Sequence, residues 1–220
     1  MKDLKATHAD ALLQRLIAEG EHVGQDFKFT VNDPRKIARS VSAFANNAGG
    51  HLLIGVDDNG NIRGVRNEED IYIVEAAAEI YCQPACTPTF TAYKAKGGVV
   101  VIRADIAKST NRPVFVKETD NKLQAYYRVA DENIVAHPLM VRAWKMTDDP
   151  DRNIFFNINS YRTSILTTLQ GAPLTFEQLS RKIKLSKAKL EDAIVELAAM
   201  NVIDFTFTDR QFYITLREST

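Results

Sequence analysis

The sequence has few cysteines, no long apolar run and no net charge, and each absence excludes a class of protein. Its two cysteines, Cys82 and Cys86, are too few for a disulfide framework or a zinc site, and we interpret them as buried small residues. No apolar run approaches the roughly 20 residues that span a bilayer. The first ten residues lack the basic-then-apolar order of a secretory signal. We therefore expect a cytoplasmic protein without membrane association.

The charge is balanced over the whole chain and within each part of it. Of 28 basic and 28 acidic residues, 19 of each sign lie up to Asp148 and 9 of each lie after it. A dedicated nucleic-acid binder is often basic overall. An interface with nucleic acid must therefore depend on local clustering of basic side chains.

The chain divides into two regions, joined by a polar and acidic segment that contains Pro150. Residues 1–147 mix helical and strand periods, residues 148–153 have the composition of a linker, and residues 154–220 form the second region. The sequence therefore predicts an α+β fold, with a mixed α/β domain first and a small helical domain with a hairpin second.

Hydrophobic spacing and turn residues predict the elements of the first region. Helical spacing is found at residues 10–18, 34–48, 68–81 and 138–145. Alternation or short apolar runs are found at residues 26–31, 52–56, 62–65, 89–94, 99–106, 114–117 and 123–129. We expect Asp33 to cap the second helix, Gly49-Gly50 to end it, and the helix at 138–145 to close the domain.

The second region predicts two helices across a tight turn, followed by a hairpin. Thr175 and Gln178 occupy capping-box positions at the start of one helix, and Ser186 is placed to begin the next. A further helix is predicted at 162–169, before these two, and strands at 202–208 and 211–216 follow them. This order resembles a winged helix-turn-helix domain.

Basic residues are concentrated at the turn between these two helices, with no acidic residue among them. They are Arg181, Lys182, Lys184, Lys187 and Lys189. In helix-turn-helix geometry the N-terminal end of the second of these two helices enters the major groove. The lysines there would neutralise phosphates, and Ser186 would offer a hydroxyl. Arg210 at the hairpin tip adds one charge. The alternative is a solvated surface with Lys187 paired to Glu191, and the acids of that helix would repel a duplex.

Three blocks of the first region resemble the Schlafen AlbA_2 family. They are GEHVGQDFK at residues 20–28, AFANNAGG at 43–50 and IGVDDNG at 54–60. RPVFV at 112–116 and YYRV at 126–129 are similar to later strands of that family. The sequence departs from the family pattern at two positions: Asp26 stands where Glu is usual, and Ala130 replaces the glycine after YYRV.

The resemblance implies a nucleic-acid-binding domain that is often joined to a winged helix in bacterial transcriptional regulators. It also implies a rival activity, the cleavage of RNA by three carboxylates: Glu21, Asp26 and one of Asp57 or Asp58. Such a set, with Asp58 as the third ligand, would hold Mg²⁺ or Mn²⁺ and activate water, and Lys28 would stabilise developing charge. The same residues also have ordinary structural roles in a turn and an ion pair.

Three further polar residues have two interpretations each. Arg128 either reaches a backbone phosphate or lies buried against a carboxylate. Asn46 and Asn47 either bind phosphate or satisfy the last carbonyls of their helix, and we favour the second role. The chain contains no G-x-x-x-x-G-K-[ST] loop, so ATPase activity is not expected.

The leading hypothesis is a DNA-binding transcriptional regulator without catalysis or cofactor, acting as a homodimer on duplex DNA rather than RNA. The first alternative is the metal-dependent endoribonuclease described above. The second is an adaptor whose winged helix docks another protein.

Overall fold

The structure is a computed structural model that describes residues 4–65, 69–120, 122–151 and 160–217. The chain forms two compact units, the first ending at Ala136 and the second beginning at His137. No helix among the described residues has both the length and the apolar character needed to cross a bilayer.

Helices occur in both units. They are Asp10–Glu19 (α1), Pro34–Asn46 (α2), Glu69–Ala76 (α3), Pro138–Thr147 (α4), Ser160–Leu169 (α5), Phe176–Lys182 (α6) and Lys187–Ala199 (α7). A π-helical turn at Ala77–Tyr81 continues α3.

Strands form two sheets in the first unit and one hairpin in the second. They are Thr7–His8 (β1), Gln25–Lys28 (β2), Gly50–Ile54 (β3), Cys82–Gln83 (β4), Thr89–Lys94 (β5), Val100–Ile106 (β6), Phe115–Lys117 (β7), Leu123–Val129 (β8), Glu132–Val135 (β9), Ile203–Thr208 (β10) and Gln211–Leu216 (β11). One sheet has the order β1-β5-β6-β3-β2, with β1–β5 and β2–β3 parallel; the other is antiparallel in the order β4-β7-β8-β9. The fold class is therefore α+β, as predicted.

Helix α2 is the centre of the first unit. Asp33 caps it as predicted, accepting hydrogen bonds from the backbone amides of Arg35 and Lys36 at 2.9 and 3.4 Å. Its Phe44 is fully buried in a core shared with Leu52 of β3 and Val116 of β7. Burying each such side chain contributes about 1.5–3 kcal/mol. The polar side chains on α2 that face this core must therefore find partners inside the protein.

The turn between β8 and β9 contains a residue in the left-handed region. Ala130 has φ +51°, so the chain keeps a shape that suits glycine although the glycine of the family pattern is absent. We expect Ala130→Gly to raise the free energy of unfolding by about 0.5–1 kcal/mol, because the steric penalty of the left-handed conformation exceeds the added entropy of the unfolded glycine. Urea denaturation measures this change.

The matched control for that substitution is Ala188→Gly in α7. Ala188 is exposed in a helix, so the same chemical change there should lower the free energy of unfolding by about 0.5–1 kcal/mol. If both variants changed the free energy of unfolding in the same direction, this would contradict backbone strain at Ala130.

The second unit contains the predicted helices and hairpin, and also α4. Thr175 and Gln178 form the predicted capping box, each side chain bonded to the other's backbone amide at 3.2 and 2.9 Å. Helix α4 packs against α7, and Leu139 joins the core of this unit. The division therefore falls before α4, whereas the sequence placed this helix at the end of the first domain. Residues 152 and 153 of the predicted linker lie outside the described residues.

Candidate nucleic-acid interface

The five cations singled out in the sequence lie where α6 ends and α7 begins, and we call them the basic turn: Arg181, Lys182, Lys184, Lys187 and Lys189. All five are exposed, as is Ser186. Ile183 and Leu190 are buried and anchor the two sides of the turn, Leu185 between them packs against the same core, and the polar side chains of the turn are exposed. Among the described residues, Lys187 is the one member with a carboxylate in range, at 3.9 Å from Glu191.

Ser186 has a structural role at this turn. Its hydroxyl accepts a hydrogen bond from the backbone amide of Lys189 at 3.4 Å and so caps α7. The cap leaves the N-terminal end of a 13-residue helix pointing outward amid exposed lysines. This end carries the positive pole of the helix dipole, which favours anions.

The acidic residues of α7 are paired within the second unit. Arg142 of α4 contacts Glu191 at 3.3 Å and Asp192 at 2.5 Å, and Arg162 of α5 contacts Glu196. The pair of Arg142 with Asp192 is exposed and adds little stability, but all three pairs offset the negative charge of α7 that would repel a duplex.

Helix α7 is largely covered beyond its first turn. Five side chains after the first turn are buried: Ala193, Ile194, Val195, Leu197 and Ala199. Asp192 is the exposed side chain in the middle of the helix. The N-terminal turn is therefore the exposed part of α7, and the rest of the helix offers no long exposed face among the described residues.

Arg210 lies at the tip of the β10–β11 hairpin and is exposed. Asp209 and Arg210 both have positive φ, at +52° and +60°, which is the conformation of a two-residue turn between antiparallel strands. Arg210 therefore lies at the hairpin tip, where the sequence predicted it.

The residues that would be catalytic in the ribonuclease alternative are only partly brought together. Glu21, Asp26 and Lys28 meet at β2: Lys28 Nζ lies 2.7 Å from Asp26 Oδ2, and Glu21 Oε1 accepts a hydrogen bond from the backbone amide of Phe27, the residue between Asp26 and Lys28, at 2.7 Å. Asp26 is 3% exposed and also accepts hydrogen bonds from Ser40 Oγ at 3.1 Å and Arg128 Nη2 at 3.2 Å. Both oxygens of Asp26 are thus occupied by the protein's own donors.

The two carboxyls at this site have pKa values displaced in opposite directions. Burial raises the pKa of Glu21, and its hydrogen bond to Asp26 raises it further. Burial alone would raise the pKa of Asp26 as well, but Lys28, the hydrogen bond from Glu21 and Arg128 together hold it below its ordinary value. Asp26 is therefore the carboxylate of the pair, and Glu21 is the member that holds a proton more readily.

The predicted third carboxylate does not complete a metal site. Asp57 organises its own turn, accepting hydrogen bonds from Asn61 and from Arg63 Nε at 2.9 Å, and the backbone amide of Asn61 above all lowers its pKa to about 2. Asp58 is exposed. In the part of the chain that is described, no three His, Cys, Asp or Glu side chains are grouped so that they could hold a metal ion. The three-carboxylate set is therefore not formed in this structure.

Arg128 was expected to reach either phosphate or a carboxylate, and the structure places it against the carboxylate. Its side chain is 1% exposed, and besides Asp26 it donates to the carbonyls of His22 and Gln25 and to Asn133 Oδ1. Its inclusion among the nucleic-acid contacts was wrong, because every donor group is already turned inward.

Asn46 and Asn47 have roles that the sequence did not predict. Asn46 Nδ2 donates to the carbonyls of Val114 and Tyr126 at 3.0 and 2.8 Å, and its Oδ1 accepts from the Val114 amide at 2.8 Å. Asn47 pairs in the same way with the backbone of Arg128 in β8. The AFANN segment therefore joins the end of α2 to distant backbone.

Comparison with known proteins relates the first unit to a family and the chain to two solved structures. The family model described as Schlafen, AlbA_2 matches residues 20–137. The DIP2311 protein of Corynebacterium diphtheriae is 18% identical with a TM-score of 0.45; the match covers 92% of this chain and 38% of that one. The N-terminal domain of a RecG-related protein from Nitrosomonas europaea is 23% identical with a TM-score of 0.44, covering 60% of this chain and 96% of that domain. No match was found among curated proteins.

Proposed function

The chain belongs to the Schlafen AlbA_2 family, and from this premise we propose that it is a nucleic-acid-binding protein, a regulator that binds duplex DNA without catalysis. The observation that carries the proposal is the basic turn, five exposed cations at the accessible N-terminal end of α7. In helix-turn-helix proteins that end of the second helix meets the major groove. Three helices followed by a hairpin support the winged-helix assignment on which this docking depends.

The electrostatics of the second unit favour a polyanion at this place. The chain has no net charge, so attraction must come from local imbalance. The acids nearest to the basic turn on α7 are paired with Arg142. Arg181, Lys182 and Lys184 lie on the other side of the turn and add to the charge of the two lysines on α7.

The covered face of α7 limits how much base sequence this module reads. Contacts from the first turn are mainly to phosphates, which position a protein without specifying sequence. If all five cations neutralise a phosphate, log K against log salt should have a slope of about −4 to −5. We propose a homodimer as the way such a short contact gains affinity and site selection.

The test is the binding of duplex DNA by the full chain and by a Lys187→Glu/Lys189→Glu variant. We expect the double variant to bind about 50-fold more weakly or worse near 0.1 M salt, because two phosphate contacts are lost and like charges replace them. Fluorescence anisotropy over a salt series measures both the affinity and the slope.

The matched control is Lys36→Glu/Lys117→Glu, which changes the net charge equally through two exposed lysines of the first unit. It should keep the wild-type affinity within a few-fold. Equal weakening by both double variants, or salt-independent binding by the wild type, would remove the basic turn from the interface.

RNA cleavage is the second candidate, supported by the meeting of Glu21, Asp26 and Lys28. The incomplete carboxylate set and the occupied oxygens of Asp26 favour the non-catalytic proposal. The same preparations incubated with RNA and Mn²⁺ separate the two: intact RNA supports the regulator, and cleavage that Glu21→Ala abolishes supports the nuclease. An adaptor would bind neither nucleic acid.

A further inference from the structure

A pocket of about 340 Å³ opens over the five-stranded sheet of the first unit. Strand register places three of its lining side chains in one row: His51 of β3 lies opposite Asp105 of β6, which lies opposite Thr89 of β5. Arg103, two positions before Asp105, is on the same face of the sheet, and Thr87 also lines the pocket. The volume is within the range of small-ligand sites, roughly 300–1,000 Å³.

His51 presents a ring nitrogen with a free lone pair to this pocket. Gln25, fully buried on β2, donates its amide nitrogen to the carbonyl oxygens of Leu16 and Gly20, both at 2.6 Å. The amide oxygen of Gln25 is therefore the atom that meets His51 Nε2 at 2.8 Å, so this nitrogen carries the proton. Burial above all lowers the pKa of His51 to about 4, and the ring is neutral near pH 7. His51 Nδ1 thus remains an acceptor to which no described residue donates.

Arg103 and Asp105 satisfy only part of each other's hydrogen-bonding capacity. Arg103 Nε and Nη2 both lie against Asp105 Oδ1, at 2.8 and 2.6 Å. Asp105 Oδ2 and Arg103 Nη1 have no partner among the described residues, and the same holds for the hydroxyls of Thr87 and Thr89. The pocket therefore presents acceptors, a donor and hydroxyls that can serve as either, and its two charges cancel.

These free groups favour a neutral ligand that carries hydroxyls. Asp105 Oδ2 and the His51 lone pair would repel an anion, and Arg103 would repel a cation. Of the lining residues, only His51 carries an aromatic ring, so a flat base finds little to stack on. A hydroxyl both donates and accepts, and can therefore satisfy an acceptor and a donor of the pocket together.

We propose that this pocket binds the cis-vicinal diol of a neutral sugar, a chemistry shared by free sugars and by the ribose of a nucleoside. Residues opposite each other on antiparallel strands have Cβ atoms about 4.5–5.5 Å apart, so two hydroxyls on one side of a ring can reach both side chains. One hydroxyl donates to His51 Nδ1 and its neighbour to Asp105 Oδ2, and Arg103 Nη1 donates to a hydroxyl oxygen. The site belongs to the first unit, so it does not depend on duplex binding by the basic turn of the second.

Calorimetric titration of the full chain with adenosine and 2′-deoxyadenosine tests the diol, because the two ligands differ by one hydroxyl. We expect adenosine to bind at least about tenfold more tightly, since the deoxy ligand leaves one acceptor of the pocket without a donor. Methyl β-D-riboside and methyl α-D-mannoside carry a cis-diol without a base. Their binding would assign the site to free sugars, and binding of adenosine alone would assign it to nucleosides. In ¹⁵N spectra of the histidine rings, the Nδ1 signal of His51 should move on binding.

Variants and a matched control complete the test. Asp105→Ala should weaken adenosine binding about tenfold or more, whereas Asp131→Ala, which removes an exposed carboxylate elsewhere in the first unit, should leave it unchanged. Thr89→Val removes only an exposed hydroxyl, so it should preserve the fold and weaken binding a few-fold. The proposal is overturned if none of the ligands binds at millimolar concentration, if adenosine and 2′-deoxyadenosine bind equally, or if Asp105→Ala or Thr89→Val binds adenosine as tightly as the wild type.

Discussion

Replacement of Asp26 by alanine is expected to lower the free energy of unfolding by about 3–5 kcal/mol, which is the range for breaking a buried ion pair from one side. The loss is large because the Arg128 guanidinium stays 1% exposed with no carboxylate to balance it. Lys28 and Ser40 lose their acceptor at the same time. Urea denaturation followed by circular dichroism measures the change.

The pH dependence of the same variant gives an independent check. The pKa of Asp26 is held below its ordinary value, so its stabilising contribution is complete above that ordinary value and is lost as the pH falls through the folded-state value. The difference in stability between wild type and Asp26→Ala should therefore shrink in acid.

The control is Asp120→Ala, which removes an exposed carboxylate paired with an exposed lysine. The side chains of Asp120 and Lys122 are 51% and 80% exposed, so the expected loss is below about 1 kcal/mol. A loss at Asp26 as small as that at Asp120 would show that the buried pair is not what ties β2 to β8.

Replacement of Asn46 by alanine is the second large effect, an expected loss of about 3 kcal/mol or more from the free energy of unfolding. Asn46 is 1% exposed, and its removal leaves the Val114 amide without its acceptor and the Tyr126 carbonyl without this donor. A buried backbone group without a partner carries its full desolvation penalty. Denaturant titration again gives the measurement.

Asn46→Asp is the isosteric companion of that variant. It keeps an acceptor for the Val114 amide but sets a carboxylate oxygen against the carbonyls of Val114 and Tyr126, so it should be at least as unstable as Asn46→Ala near neutral pH. Asn59→Ala, an exposed position, should change little. A stable Asn46→Asp protein would mean that the amide donor is not needed.

Local signals predicted the helices and the longer strands well. The Asp33 cap and the Thr175–Gln178 box mark helix starts within one residue, because capping chemistry depends on neighbours along the chain. Strands β5 and β8 occupy the predicted ranges. The return strand predicted at 62–65 is reduced to a bridge between Val56 and Ile62, and the short strands β1, β4 and β9 gave no periodic signal.

The candidate sites also differ in whether their residues are close together or far apart in the sequence. The basic turn is continuous in sequence, so its charge was visible before its geometry. Arg128 and Asp26 are separated by 102 positions, and no local pattern in the sequence indicates that they form a buried ion pair. Nor did the sequence show that Arg142 pairs with the acids of α7, because these residues lie about 50 positions apart and belong to helices that composition had placed in different domains.

The attachment of α4 to the second unit bears on how the chain can be dissected. Proteolysis or truncation at the acidic segment around Pro150 would leave α7 without Leu139 over its core and without Arg142 beside Glu191 and Asp192. Such a fragment would expose apolar surface and carry two unneutralised acids next to its lysines, so under the proposed function it should bind duplex DNA more weakly than the intact chain. An autonomous C-terminal fragment has to begin at His137.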